Sequence, residues 1–445
     1  MHKTVIAIVG RPNVGKSSFF NYLARERISI VADTPGVTRD RIYAEVEWLG
    51  EPYVLIDTGG IEPDSKDDLL QQMRTQAEIA IEMADVILFM VDGKEGLHPS
   101  DFEVADILRR TNKPIVVAVN KSDGPDLPAE FYDFYQLGFE EVHAISAAQG
   151  LGMGDLLDKI NELAPEYEED EDFKDYLKLA IIGKPNVGKS SLVNKITGQE
   201  RAIVSNMAGT TRDTTDTPVE NEYGNFILLD TAGMRRKARI GDQLERYSVL
   251  RATAAIERAD ICLVMIDATE GPSEQDTKIA GLAHKAGKGI IICVNKWDLP
   301  ADEKAFDFNE MTLRIRETFA FMPYAEIVFI SAKTGSKLNK LFETINYVWE
   351  NCNREISTGK LNEIIGDAQQ MLQAPSYKGR RLKISYAVQV ATNPPSFALF
   401  VNDVELLHFS YERYLENQIR RAFDFQGTSI RIFLRNKNKS KELAE

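Results

Sequence analysis

One octapeptide occurs twice in this chain and limits what it can fold into. Gly10-Arg11-Pro12-Asn13-Val14-Gly15-Lys16-Ser17 and Gly183-Lys184-Pro185-Asn186-Val187-Gly188-Lys189-Ser190 both fit G-x-x-x-x-G-K-[ST], and a second serine, Ser18 or Ser191, follows each. A short apolar run precedes each copy, at 5–9 and 179–182, and a helix-like segment follows, at 18–23 and 191–196. This is the strand–loop–helix setting in which such a loop binds phosphate. The glycines let backbone N–H groups turn inward around phosphate oxygens. Lys16 and Lys189 add a point charge, and the helix N-terminus adds its dipole. A single octapeptide can be a chance match; two in the same setting are not.

The loops lie 173 residues apart, from Gly10 to Gly183, and other stretches keep nearly that offset. Residues 28–40 parallel 201–213, and Asp57-Thr58-Gly59-Gly60 parallels Asp230-Thr231-Ala232-Gly233. Asn120-Lys121-Ser122-Asp123 parallels Asn295-Lys296-Trp297-Asp298 at an offset of 175, and Ser146-Ala147 parallels Ser331-Ala332 at 185. A whole domain is duplicated, with small late insertions in the second copy. Each copy alternates amphipathic stretches with short apolar runs, at 5–9, 53–56, 86–91, 115–119 and 142–145, then at 179–182, 226–229, 261–266, 290–294 and 327–330. Continuous runs of this length predict α/β domains with mostly parallel sheets and helices on both faces. One antiparallel edge strand is expected just before the Asp-Thr-x-Gly turn.

The expected domains are 1–164, an acidic linker at 165–175, a second nucleotide-type domain at 176–351, a small α+β domain at 352–436 and a charged tail at 437–445. In the small domain the pattern reads helix (361–372), strand (381–390), strand (397–401), helix (411–423, capped by Ser410) and strand (429–434). The two middle strands flank Asn393-Pro394-Pro395.

Charge divides along the same lines. The 445 residues carry a net −15. Residues 352–445 hold 14 Lys and Arg against 10 Asp and Glu, a net +4, which leaves −19 on the rest. A basic end on an acidic body points to a negatively charged partner, or simply to solvation. Cys262 and Cys293 lie in apolar runs and read as small core residues. With Cys352 they show no metal-ligand spacing and no disulfide framework, so no disulfide-linked partner is expected. No signal peptide, membrane anchor or apolar run of about 18 residues is evident, so a cytoplasmic protein is expected.

The phosphate loop implies a nucleoside triphosphate; the base is read elsewhere. A carboxylate at Asp123 or Asp298 can accept hydrogen bonds from guanine N1–H and its 2-amino group. Adenine leaves that carboxylate unpaired, and a site built for a hydrogen bond rejects such an analogue by ~10⁴-fold or more. Asn120 and Asn295 can bind the base edge and support the loop, and the stems of Lys121 and Lys296 can cover the base. Ser146-Ala147 and Ser331-Ala332 complete the base end. An isolated N-K-x-D is usually just a loop after a strand; two in register with phosphate loops are a signature. Ser17, Asp57 and Thr38 are the expected Mg²⁺ set in the first copy, and Ser190, Asp230 and Thr211 in the second. Thr38 and Thr211 are the switch threonines, and Gly60 and Gly233 admit a backbone N–H to the γ-phosphate. Lys16, Thr38, Gly60, Lys189, Thr211 and Gly233 are therefore the residues expected to act on the reacting phosphate. Taken singly, each Asp or Thr is an ordinary turn or cap residue.

With these motifs in place, each repeat resembles a translation-factor-type GTPase domain. The whole chain is similar to the bacterial tandem G-domain GTPases of the Der (EngA) family, in the Era/TrmE-like group. Residues 382–386, 393–397 and 408–413 carry the likeness as much as the nucleotide motifs do. The resemblance implies GTP binding and hydrolysis with Mg²⁺, a KH-like C-terminal domain, and a role in assembling the large ribosomal subunit through ribosomal RNA. It also implies that Asn13 and Asn186 hold K⁺ against the phosphates. A Ras-like enzyme orients its water with a Gln after D-x-x-G. Here the positions are Ile61 and Met234, and neither side chain can hydrogen-bond water. Residues 352–445 contain no G-x-x-G, so the usual KH clamp on single-stranded RNA does not carry over. The rival reading is an RNA-binding scaffold that holds GTP as a structural ligand.

Overall fold

The structure is a computed structural model. It describes residues 4–26, 43–58, 73–74, 77–78, 80–81, 84–124, 129–165, 173–198, 216–229, 252–298, 307–377 and 379–436. The chain divides into two compact units, one holding the first sheet and the other the second sheet and the C-terminal domain.

In the first unit the strands are β1 (Thr4–Val9), β2 (Tyr43–Trp48), β3 (Glu51–Asp57), β4 (Val86–Asp92), β5 (Ile115–Asn120) and β6 (Val142–Ala144). They lie in the order β2-β3-β1-β4-β5-β6. Edge strand β2 is antiparallel to β3 and every other pairing is parallel. The continuous apolar runs follow from burial on both faces, since all seven residues of β4 are buried. Successive β1 residues serve opposite cores. Ile6 and Ile8 pack with Phe19 and Phe20 of α1 (Lys16–Glu26), while Val5, Ala7 and Val9 share a cluster with Val104 and Leu108 of α2 (Pro99–Leu108). Helix α3 (Met153–Leu163) adds Leu156 and Ile160 to the first cluster.

The second unit repeats this plan. Strands β7 (Leu177–Ile182), β8 (Thr217–Asn221), β9 (Gly224–Leu228), β10 (Ile261–Asp267), β11 (Gly289–Asn295) and β12 (Glu326–Phe329) lie in the order β8-β9-β7-β10-β11-β12. Among the described residues its helices include α4 (Lys189–Thr197), α5 (Glu274–Lys285), α6 (Phe308–Thr318) and α7 (Leu338–Cys352). Cys262, Cys293 and Cys352 are buried free thiols. Burial pushes the Cys262 thiol up to about 12 and the Cys352 thiol up to about 11, so both stay protonated and inert. No described helix is long and apolar enough to cross a membrane.

The C-terminal domain runs α8 (Thr358–Met371), β13 (Ser376–Tyr377), β14 (Arg380–Arg381), β15 (Ile384–Ala391), β16 (Ser396–Val401), α9 (Phe409–Ala422) and β17 (Arg431–Asn436). The three long strands lie in the order β15-β16-β17, with β15 antiparallel and β17 parallel to β16. Phe397, Leu399 and Val401 form the core with Leu361 and Ile365 of α8 and Leu415 and Ile419 of α9. Two local expectations are corrected. The cap of α9 is His408, not Ser410: the His408 ring Nδ1 accepts from the Ser410 N–H at 3.3 Å, and so starts the helix two residues earlier. The strand expected over 381–390 is divided. Asn402 accepts from the Lys383 N–H at 2.8 Å and donates to the Arg381 carbonyl at 3.0 Å, so a side chain replaces the ladder there.

Within its unit this domain is fastened to the second sheet by backbone. The Gly427 N–H donates to the Tyr324 carbonyl, and the Ile290 N–H donates to the Gly427 carbonyl, both at 2.7 Å. Asn351 donates to the Gln426 carbonyl at 3.0 Å, and the Tyr347 hydroxyl donates to Asp424 at 2.6 Å. The Ile290 bond meets β11 at its amino end, and the others meet the residue stretch before β12 and the last turns of α7. The carboxyl ends of the strands stay clear for the nucleotide motifs.

Candidate nucleotide sites

In each unit the motifs fall at the carboxyl ends of the strands, where the strand order reverses about β1 or β7. That crevice is the usual ligand position of an open α/β sheet. In the first unit Asp57 ends β3, Asp92 ends β4 and Asn120 ends β5, and Ser146 follows β6.

The phosphate loop closes on its own lysine. Lys16 Nζ donates to the carbonyls of Gly10 at 2.5 Å and Arg11 at 2.9 Å; Lys189 Nζ donates to Gly183 at 2.6 Å and to Lys184. Val14 and Val187 are buried and anchor the loops, while Pro12, Asn13 and Asn186 are on the surface side. Asn13 and Asn186 have φ of 67° and 64°, in the left-handed region that Asn tolerates better than most residues. Gly15 and Gly188 need to be glycine twice over. Their φ values are 100° and 102°, and a Cβ on either would lie 2.1 Å from the amide nitrogen of Asn120 or Asn295.

That contact is part of a clip. Asn120 Nδ2 donates to the Val14 carbonyl at 2.7 Å, and its Oδ1 accepts from the Ala147 N–H at 2.9 Å. Asn295 does the same to Val187 at 2.7 Å and Ala332 at 2.8 Å. Of the two roles read for this Asn, the structure shows loop support: one amide ties the phosphate loop to the base loop. Lys121 and Lys296 extend to Asp92 and Asp267, which lays their stems along the loop. Burial opposes the charge on both carboxylates. The lysines and backbone N–H groups outweigh it, so both carboxyls sit below the usual range.

Asp123 and Asp298 differ. Asp123 is ion-paired with Lys94 at 2.6 Å and accepts from Ser146 Oγ at 2.7 Å, and these two bonds hold its carboxyl below the usual range. Both aspartates are exposed, but beside Asp298 the matching serine is turned elsewhere: Ser331 Oγ accepts from the Thr334 N–H at 3.1 Å. Beside Asp298, Trp297 packs edge-on against Phe329 with ring centroids 4.5 Å apart.

At the phosphate end Ser17 Oγ donates to Asp57 Oδ2 at 3.2 Å, and Asp57 is 2% exposed. Two hard oxygen donors this close at a strand end fit Mg²⁺. Thr58 is buried and donates to the Ile8 carbonyl at 2.5 Å, so its side chain serves the fold. Ser18 and Ser191 are exposed on the first turns of α1 and α4. Thr38, Gly59, Gly60, Ile61, Thr211, Asp230, Thr231, Ala232, Gly233 and Met234 lie outside the described residues.

Several partners went unread in the sequence. Arg11 Nη1 meets Glu95 at 2.6 Å, and its Nε lies 3.5 Å from the fully buried Asp101. Lys184 meets Glu270 at 3.2 Å and the fully buried Asp276 at 3.5 Å. Each of these aspartates also accepts from the N-cap backbone of its helix, α2 or α5. A signal for them existed. Asp92 and Asp267, like Asp101 and Asp276, are 175 residues apart, the offset of the Asn-Lys motifs.

Comparison with known proteins agrees with this geometry. A family model described as 50S ribosome-binding GTPase matches residues 5–121 and 178–296. A second, described as the C-terminal KH-domain-like domain of EngA bacterial GTPase enzymes, matches residues 355–435. The GTPase Der of Acetivibrio thermocellus is 57% identical over 440 residues, covering 99% of this chain and 100% of that one. The GTPase Der of Caldanaerobacter subterraneus subsp. tengcongensis is 56% identical over 437 residues, covering 97% and 98%. A crystal structure of Aquifex aeolicus Era bound to GDP and AlF4⁻ matches 58% of this chain and 88% of its own, at 24% identity and a TM-score of 0.30.

Proposed function

The chain belongs to the GTPase Der family, and from that premise we propose that its two G domains control binding to ribosomal RNA during assembly of the large ribosomal subunit. The observation that carries this is the match of both G domains to a family described as 50S ribosome-binding GTPase. The net +4 over residues 352–445, on an otherwise acidic chain, supports a nucleic-acid partner.

The protein is a GTPase, which sets aside the scaffold that only holds GTP. Water attacks the γ-phosphate and the products are GDP and phosphate. In this reading the loop N–H groups with Lys16 and Lys189 hold the phosphates, and Asp123 and Asp298 select guanine. Ser17 with Asp57, and Ser190 with Asp230, would hold Mg²⁺, which neutralises charge on the phosphates when bound. By their motif positions Thr38, Thr211, Gly60 and Gly233 would act on the γ-phosphate. Ile61 and Met234 cannot orient the water. Asn13 and Asn186, on the surface side of their loops, would hold a K⁺ that adds positive charge beside the phosphates.

Co-sedimentation with purified ribosomal subunits, in GDP, in a GTP analogue and without nucleotide, tests the reading. Pelleting with the large subunit in one nucleotide state is expected. Equal recovery with and without subunits in every state would sink it.

A further inference from the structure

The C-terminal sheet has one face under α8 and α9 and one face that neither covers. Alternation assigns the second face. Phe397, Leu399 and Val401 of β16 are core, so Ala398 and Phe400 point the other way. Ala387 of β15 is core, which puts Tyr386 and Val388 on the uncovered face; Ile432 and Leu434 of β17 pack on the core, which puts Arg431, Phe433 and Arg435 there. Register then builds two rows across the sheet. Tyr386 sits beside Phe400 and Phe400 beside Arg435; Val388 sits beside Ala398 and Ala398 beside Phe433. Each strand thus contributes one aromatic residue. The Tyr386 and Phe400 rings are 5.8 Å apart, and Tyr386 and Phe433 are 46% and 45% exposed. Ala398, the smallest side chain of the group, is 5% exposed and forms a floor between larger neighbours.

Charge selects the occupant. The three strands hold two arginines and no carboxylate, on a chain of net −15. Arg431 is partly committed, since it donates to the Lys285 carbonyl at 3.1 Å. Arg435 is exposed at the outer end of the aromatic row. An apolar protein partner would be served by the rings alone. Rings flanked by a cation and free of acids suit an unpaired nucleic acid, whose bases offer π-faces and whose backbone offers phosphates. A duplex hides its base faces within the stack. The absent G-x-x-G removes the helix-side clamp as the alternative grip.

We propose that this uncovered sheet face binds single-stranded RNA, stacking bases on Tyr386, Phe400 and Phe433 and meeting a phosphate with Arg435. The proposal rests on the ribosomal-RNA reading above and gives it a surface. Adjacent strands are about 4.8 Å apart and the two rows are two residues apart along the strands, so Tyr386 and Phe433 lie about 12 Å apart on the face, room for roughly two or three splayed bases.

The test uses the full chain and fluorescein-labelled oligouridylate, with a duplex RNA as comparison. The wild-type protein should bind the single strand more tightly than the duplex. Tyr386→Ala and Phe433→Ala should each weaken it about tenfold. Tyr386→Phe should bind as wild type, because the ring is kept. Arg435→Ala should lower the salt slope by about one. Unchanged melting temperature and GTP hydrolysis in these surface variants would confirm that the fold and G domains are intact. Wild-type affinity in both alanine variants would overturn the proposal. So would variants that lose subunit pelleting while keeping oligouridylate binding, because the face would then dock protein. Pelleting by the wild type that persists in both variants leaves the assembly reading standing and sinks only this surface. A wild type that neither pellets nor binds RNA sinks both.

Discussion

Asp123 and Asp298 hold the same motif position with different neighbours. Both are exposed, but Asp123 is ion-paired with Lys94 and accepts from Ser146, whereas Asp298 lacks that serine bond. Both are expected to read guanine. Asp123→Asn and Asp298→Asn should each shift their domain toward xanthine nucleotides, because an amide N–H can donate to the xanthine 2-carbonyl. Unchanged GTP affinity in Asp298→Asn, measured by nucleotide titration, would remove the second site from that reading. Asp92 works one step back, by holding Lys121. Its folded pKa lies below the ordinary carboxylate value, so the stability it adds is complete above that value and is lost as pH falls through the lowered one. Asp92→Asn should therefore be less stable than wild type near neutral pH, and urea melts should show the gap closing below about pH 4. A gap that persists unchanged in acid would assign the effect to packing instead.

At the scale of the element, the phosphate loop and the turn at Gly427 are the informative pieces. Each phosphate loop presents an Asn on its surface side with positive φ, and no glutamine follows either D-x-x-G. K⁺ should accelerate hydrolysis relative to Na⁺. Asn13→Ala should weaken that effect in the first domain and Asn186→Ala in the second. A full K⁺ effect in both single variants and the double variant would place the ion elsewhere. At Gly427, φ is 80° and a Cβ would lie 2.2 Å from Val348 Cγ2. Gly427→Ala should cost about 1–3 kcal/mol, read by denaturant melts of the full chain. Val348→Ala should return part of that cost in the double variant, since it removes the clashing methyls. A double variant no better than Gly427→Ala would mean that the backbone angle dominates.

The whole molecule carries its charge unevenly. After Gly233 the second copy reads Met234 through Ile240 with Arg235, Arg236, Lys237 and Arg239. The matching stretch of the first copy, Ile61 to Asp67, is net acidic. Opposite charge at one position of a duplicated domain argues against a shared partner. The triple variant Arg235→Ala/Arg236→Ala/Lys237→Ala should bind RNA or subunits more weakly, with a shallower salt slope. Affinity at several salt concentrations, in GDP and in a GTP analogue, measures it. An unaltered slope in both states would give the cluster an internal role.

What the sequence determined by itself was the short-range chemistry and the repeat. A phosphate loop is a local constraint. Its glycines, lysine and serine are read from eight adjacent residues, and the apolar runs beside them state parallel strands buried on both faces. Duplication then supplied a second reading of every motif, which is why the sheets, the edge strand and the family were legible. Contacts between distant segments were not. Arg11 meets Asp101, Asn120 ties Val14 to Ala147, and Gly427 packs so closely on Val348 that no Cβ fits between them. No local propensity encodes such pairs, because each depends on which surfaces the folded sheets bring together. The cap of α9 failed for a related reason: a histidine ring took the place of the serine that composition favours. The uncovered face of β15, β16 and β17 is decided at the same level. Alternation marks two faces on every strand, and only the packing of α8 and α9 against one of them leaves Tyr386 and Phe433 exposed on the other.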